Sequence, residues 1–533
     1  MRKMLTALCT AVGIWGCAPT QKSLTVDQAK AAISIDEFFG YLTDLSSDDM
    51  RGRDTGSPGF DSATEYVIRR IEELGLQPAG ENGSYRQSIT FRKATQGEAF
   101  PQVRVAGRRL RFGEHYALVP QVDREQVDME APIVFVGFGI SAPEVGYDDY
   151  QGIDVTGKVV MFIQNRPPGL KSLENTVLGR SKNRVNTARA KGALGVIRVL
   201  DQTSLGQWPL ASAKNSSSSF GYVDPFNRSP VQLVLNYRQA GGLLQLAGKD
   251  YRQVRQQLLA GNPQSFELGF DLSVKASFRH EEILSQNIAA LLPGKDKTLG
   301  KEVVVLSAHL DHVGVKNPIR GDSIYNGTLD NASGSAGILT LAGQFAAMKP
   351  PKRSILFLWV TAEEKGLLGS DYWAKYPTIT ASRIVANHNI DMINGAFLET
   401  SDMIAYGYEH SNLSRSVDYA LKELSMTRSE DPVPEENYFV RSDQYSFVKQ
   451  GIPAIWVWRG RDVGGDMLLG KENYDAWFAN NYHRPSDDMN QPMSERGLLE
   501  ELQLNFLMTY YIANEMQSID WYEDSFLYQR YGK

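Results

Sequence analysis

Cysteine is almost missing from this 533-residue sequence: Cys9 and Cys17 are the only two, and both fall in the first 17 residues. A disulfide framework or a thiolate-rich structural metal site is therefore excluded for the rest of the chain, and its stability must come from burial. A basic excess is also lacking, with 56 Lys and Arg against 62 Asp and Glu and a formal charge of −6. No cationic face for a phosphate backbone is indicated, so nucleic acid is not an expected partner. Long apolar runs are absent as well. The stretch from Met4 to Gly16 falls short of the roughly 20 residues that span a bilayer, and no later stretch reaches that length. Internal repeats are not found. What remains is ordinary globular usage, 42% hydrophobic, 22% charged and 10% aromatic, over a length that carries several domains' worth of core.

The start of the chain reads as a targeting segment. Arg2 and Lys3 precede the short apolar stretch, the order of a signal peptide. The run Ile14-Trp15-Gly16-Cys17 resembles a bacterial lipoprotein cleavage box, so residues 1–16 are expected to be removed and Cys17 to carry lipid. Cys9 leaves with the signal, and loss of Arg2 and Lys3 takes the charge to −8. The expectation is an exported protein of the cell envelope, held to a membrane by its lipid on a tether over 17–33. Ala18 after the cysteine resembles the outer-membrane sorting pattern.

Beyond the tether, residues 34–130 open with a helix-start signal, Thr55-Gly56-Ser57-Pro58-Gly59, and a helix over Ala63 to Leu76 with Val67, Ile71 and Leu74 on one face. Short alternating runs follow. Residues 131–272 have a strand-rich texture of their own, with Ile133–Val136, Val159–Ile163 and Val196–Leu200 around a helix at Arg184 to Ala193. Within it, Ser212 to Pro230 reads as a low-complexity loop. From Gln286, within the segment 273–533, strands alternate with helices, the grammar of a doubly wound α/β sheet. Buried strands are predicted at Val303 to Leu306, Ile355 to Val360, Ile384 to Ile390 and Ala454 to Trp458.

Polar residues of metal-binding type stand at or beyond the ends of these strands: His309 and Asp311, Asp330, Glu363 and Glu364, Asp391, and His483. Ligands in such sheets collect at the carboxyl ends of strands. Imidazole and carboxylate without thiolate suit a catalytic zinc with an open position. Two histidines and several carboxylates suffice for two ions, which need a carboxylate between them and leave one carboxylate free to take a proton from water. His309 and Asp311, two apart on an extended strand, face the same way, so Asp311 can bond the second imidazole nitrogen. Adjacent Glu363 and Glu364 point differently, one as ligand and one as base.

The ordered set His309-x-Asp311, Gly327-x-x-Asp330-Asn331-Ala332-Ser333-Gly334, Glu363-Glu364-x-Gly366-x-x-Gly369-Ser370, Asn389-x-Asp391-Met392 and His483-x-Pro485-x-Asp487 resembles the co-catalytic zinc aminopeptidases, relatives of bacterial leucyl aminopeptidase and of glutamate carboxypeptidase II. Phe138-Gly139-Ile140 through Gly157-Lys158-Val159-Val160 resembles the protease-associated domain inserted in many members, giving an α/β, doubly wound mixed sheet with an inserted β-rich α+β domain. The resemblance implies two zinc ions: His309 and Asp391 on one, Glu364 and His483 on the other, Asp330 between them. Glu363 becomes the general base and Asp311 the partner of His309. Peptides are the implied substrates; no oligomeric state is implied.

One departure stands out. Gln444 in Arg441-Ser442-Asp443-Gln444 replaces a histidine common in relatives, which puts a substrate or oxyanion contact there in doubt. His312 and His388 have no counterpart in the motifs, and His388, three residues before Asp391, falls on the opposite strand face and reads as core. Tyr438, Phe439 and Trp458 are candidates for a specificity pocket. Beside an aminopeptidase, three readings stay open. A carboxypeptidase or dipeptidase would grip a terminal carboxylate through Arg441, Arg459 or Arg461; a glutaminyl cyclase would use a single zinc; a non-catalytic binding protein would resemble the transferrin receptor.

Overall fold

The computed structural model describes residues 24–201, 206–224, 226 and 228–532. The leader and Cys17 lie outside the described residues. At the centre are four parallel strands in the spatial order Ser354–Val360, Val303–His309, Ile384–Asn389 and Ala454–Arg459. Antiparallel strands flank them: Asp402–Tyr406 pairs with Ala454–Arg459, and Ser265–Leu292 pairs with Ser354–Val360. The strands Val303–His309 and Ser354–Val360 are buried at every position, which explains their mostly apolar sequence. Each such Leu, Ile or Phe contributes about 1.5–3 kcal/mol by leaving water.

Helices cover both faces. His388 donates to or accepts from Thr509 on the helix Glu495–Asn514 (2.9 Å), whereas its neighbour Asn389 bonds Gln444 of the helix Gln444–Val448 (2.9 Å) on the other side. The alternation of a strand thus assigns each helix its face. His388 sits in core as expected, its pKa pushed down to about 4 by burial.

Ser265–Leu292 is the longest strand and belongs to two sheets. Its second half pairs with Arg86–Gln96 and the main sheet; its first half pairs with Gln126–Val136 of a second sheet. Position 272/273 therefore lies inside one continuous strand. The second sheet runs through Gln126–Val136, Val159–Gln164, Gly195–Leu200 and Val231–Leu235, all parallel, over a separate apolar core that includes Phe135, Phe138, Met161 and Leu233. The loop expected over Ser212 to Pro230 is corrected in part. Its serine run joins a helix, Trp208–Ser217, to a strand, Ser218–Tyr222, which pairs with Arg86–Gln96. Phe220 stacks on Phe91 there (5.3 Å), so the tertiary partner overrides the low strand propensity of serine.

Candidate metal centre

The carboxyl ends of the central strands converge on one point. His309 is the last residue of its strand; Glu363 and Glu364 follow Ser354–Val360 after a tight turn; Asp391 follows Ile384–Asn389. Two loops complete the ring, one with Asp330 before the helix Ser333–Ala347 and one with His483. Ala362, Met392 and His483 hold positive φ (56°, 62° and 53°), a conformation that costs non-glycine residues about 1–3 kcal/mol and clusters at functional sites.

Buried groups hold these loops. Asp487 accepts the backbone N–H of Leu329 (2.9 Å) and Asp330 (3.1 Å). Arg53, wholly buried, donates to the carbonyls of Leu310, Asn326 and Gly327 at 2.7–2.8 Å, which explains the Gly52-Arg53 motif near the start of the chain. A Cβ on Gly334 would meet the Asn331 amide oxygen at 2.3 Å, so that motif glycine is sterically required.

The side chains form two groups. His309, Asp330 and Asp391 make the first; His312, Asp330, Glu364 and His483 make the second. His309 Nε2 lies 3.3 Å from Asp391 Oδ1 and 3.4 Å from Asp330 Oδ1. His483 Nε2 lies 3.0 Å from both Asp330 Oδ2 and Glu364 Oε1. Asp330 thus turns one oxygen to each group. These separations match the edge of about 3.3 Å expected for a tetrahedron with metal–ligand bonds of about 2.0 Å. His483 Nε2 and Glu364 Oε1 are buried with no well-formed hydrogen bond, as atoms awaiting a cation would be. The donor set therefore fits divalent metal.

Charge makes the same point. Burial would strip His309 of its proton, but Asp391, Glu363 and Asp330 raise its pKa well above the ordinary value. His483, opposed by burial, is pushed up to about 10 by the adjacent carboxylates of Asp330 and Glu364. Protons here offset carboxylates that a dication would otherwise neutralise. The two adjacent glutamates are driven apart: burial and the charges of Glu364 and Asp443 raise Glu363, whereas Glu364 is held far below normal, against burial, by His312 and His483. Such divergence marks an acid–base residue beside a ligand.

All seven residues expected here are gathered at the centre, but two details differ. Asp311 does not bond His309 through its carboxylate. His309 Nδ1 meets the Asp311 backbone oxygen (3.0 Å), while the carboxylate, 4.0 Å from that nitrogen, accepts the N–H groups of Glu363 and Glu364. Side chains two apart do share a face, but the chain leaves the strand at His309, which turns the carboxylate onto the neighbouring loop. Burial pushes the Asp311 carboxyl up to about 7. The second is His312, fully buried, with Nδ1 3.1 Å from Glu364 Oε1; sequence reading passed over it, although it directly follows the His309-x-Asp311 pair.

Gln444 is wholly buried, bonding Asn389 and the Phe439 carbonyl (2.7 Å), and so fills a structural place away from substrate. Arg459 is likewise committed, to the carbonyls of Thr400 and Gly497 and to Glu500. A cavity of about 390 Å³ opens beside the first group, with Tyr438, Trp456, Trp458, Tyr474, Phe478 and Tyr482 among its walls. Phe439 is not among them; it packs near His410 (5.5 Å). Tyr474 and Phe478 come from the helix Met467–Asn480, which lacks a clean apolar period and shows only its Asp466 cap.

Residues 287–509 match the family described as Peptidase family M28. A probable leucine aminopeptidase 2 of Aspergillus oryzae is 26% identical over 253 residues, 45% of this chain and 47% of that protein. Leucine aminopeptidase 2 of Arthroderma otae is 24% identical over 354 residues, 63% and 65% of the two chains. The chain spans about half to two thirds of the length of these relatives. Among solved structures, an aminopeptidase from Aneurinibacillus sp. strain AM-1 aligns over 92% of this chain and 96% of that one, at 17% identity and a TM-score of 0.46. BSAP, a zinc aminopeptidase from Bacillus subtilis, aligns over 91% and 97%, at 16% identity and a TM-score of 0.44. The segment that matches peptidase family M28, 287–509, is the one that contains both groups of clustered ligands.

Proposed function

We propose that this protein is a zinc-dependent aminopeptidase that removes N-terminal residues from peptides outside the cytoplasm. The observation that carries the reading is Asp330, whose two oxygens face two separate ligand groups. The roles follow: His309 and Asp391 would hold one zinc, Glu364 and His483 the other, and Asp330 would serve both groups. Four carboxylates converge there, a charge that two dications offset. When bound, zinc in such a site supplies Lewis acidity to a water and to a carbonyl oxygen. Glu363, whose carboxyl burial raises above the usual glutamate range, takes the proton from the attacking water and returns it to the leaving amine. Asp311 fixes the backbone of Glu363 so that its carboxyl stays aimed at the cleft.

The aromatic cavity beside His309 and Asp391 takes the side chain of the terminal residue, favouring large apolar types. Export and lipid attachment at Cys17 are part of the proposal: a fatty-acid probe should label the wild type and not Cys17→Ser. The test of activity is mass spectrometry of free-ended peptides incubated with the zinc-loaded protein. Ladders shortened from the amino end and abolished by chelation support the reading; ladders from the carboxyl end, or intact peptides, overturn it. Trp458→Ala should flatten the preference among terminal residues.

A further inference from the structure

A second cavity, of about 810 Å³, opens on the other side of Glu363 and Glu364, between the peptidase sheet and the segment 131–272. Seven of its lining residues are cationic and three acidic. Two of the acids are Glu363 and Glu364. The third, Asp371, is taken by Lys375 (2.7 Å) and Lys449 (2.5 Å). Arg441 is paired with Glu436 and Arg530 with Glu144 (2.8 and 2.6 Å). That leaves Arg180, Lys182 and Arg189, all from the segment 131–272. None of the three has a carboxylate within 4.0 Å among the described residues. Arg180 and Lys182 are two apart at the start of the helix Ser181–Ala190, whose first turn has no side-chain cap.

Lys182 stands exposed at the rim of the crevice; the nearness of the walls, with Lys449, Lys375 and Arg180, pushes its ammonium down to about 8 against the pull of Asp371. Loss of hydration lowers Arg180 too. The two walls touch where Asn183 donates to the Tyr445 hydroxyl (3.4 Å) and the Arg180 guanidinium lies over the Tyr445 ring (5.6 Å). A fixed cationic crevice beside a hydrolytic centre attracts an anion and repels a free ammonium.

We propose that this crevice binds a carboxylate on the leaving side of the scissile bond through Arg180 and Lys182, selecting short peptides whose free carboxyl end reaches it. The proposal rests on the aminopeptidase reading and deepens it: the charge orients a short peptide with its amine toward the aromatic cavity and its carboxylate toward the segment 131–272. That segment thereby sets substrate length and charge.

The test compares kcat/KM of the zinc-loaded full chain on Leu-Ala-Ala, its C-terminal amide, Leu-Ala-Glu amide and the neutral Leu-p-nitroanilide at low salt. The free acid should exceed its amide by about tenfold, mainly through KM, and 0.5 M salt should erode the ratio, as expected for a partly solvated ion pair. Lys182→Glu should bring the ratio to one or below and Lys182→Arg should keep it. Recovery by Leu-Ala-Glu amide assigns the site to any carboxylate, no recovery to the chain terminus; both support the crevice. Equal efficiencies for acid and amide, with the nitroanilide turned over, overturn this proposal alone. No turnover of any of the four overturns the aminopeptidase reading and this proposal together.

Discussion

Asp311 accepts the backbone N–H of Glu363 on Oδ1 (3.0 Å) and that of Glu364 on Oδ2 (3.2 Å), so one buried carboxylate sets both adjacent glutamates. Thr55 adds a hydroxyl to Oδ2 at 3.3 Å. In Asp311→Asn one oxygen becomes an NH₂ that faces an N–H donor. Activity or zinc affinity should fall about 10- to 100-fold, the usual cost of losing a group that orients a metal ligand. Kinetics on Leu-p-nitroanilide beside zinc analysis checks this; unaltered values of both would mean that the backbone holds itself.

Glu363→Gln keeps the shape of the side chain and removes its proton chemistry. Zinc content should match the wild type while kcat drops about 10²- to 10⁴-fold. A variant with normal turnover would falsify the assignment of Glu363 as base.

His312 is the residue whose contribution the motifs do not announce. Its Nδ1 is 3.1 Å from Glu364 Oε1 against 3.0 Å for His483 Nε2, so His312→Ala should weaken one of two zinc-binding steps about tenfold or more. Competition against a chromogenic chelator resolves the steps, with Glu363→Gln as the control that retains both. Two unaltered steps would reduce His312 to packing.

Asp149 offers a pH test outside the metal centre. It accepts N–H groups of Phe138 and Ile140 (both 3.0 Å) and the Tyr147 hydroxyl (2.8 Å), yet burial pushes its carboxyl up to about 7. A folded pKa above the unfolded value of about 3.8 means that the folded state holds its proton more tightly. Stability is then full below pH ~4 and is lost as pH rises to about 7, by a few kcal/mol. Asp149→Asn cannot ionise, so its Tm relative to wild type should rise between pH 4 and 7.5. A constant difference in Tm would show that Asp149 is ionised throughout.

Much of the centre was legible because its chemistry sits at predictable places. His309 and Asp391 follow apolar strand runs, and the motif glycines Gly327, Gly334 and Gly369 stand where a Cβ would collide with neighbouring atoms. His312 was not legible, since a histidine after a strand end is as often core, and only packing turns its ring toward Glu364. Tyr474 and Phe478 were hidden for a different reason: their helix Met467–Asn480 buries only Gly470 and Trp477 and turns Tyr474 and Phe478 toward a cavity, so it carries no clear amphipathic period.

The sequence by itself determined the alternating strand–helix order, the parallel core, the seven clustered residues and the lack of any covalent cross-link beyond residue 17, because apolar period and residue type are local quantities. Only the tertiary structure decided that Asp311 serves Glu363 and Glu364 instead of the imidazole, that Gln444 is wholly buried, and that Arg180 and Lys182 line the same crevice as the glutamates. Each of those depends on the angle at which a loop leaves its strand or on how two sheets meet along Ser265–Leu292, and both are set by packing between residues hundreds of positions apart.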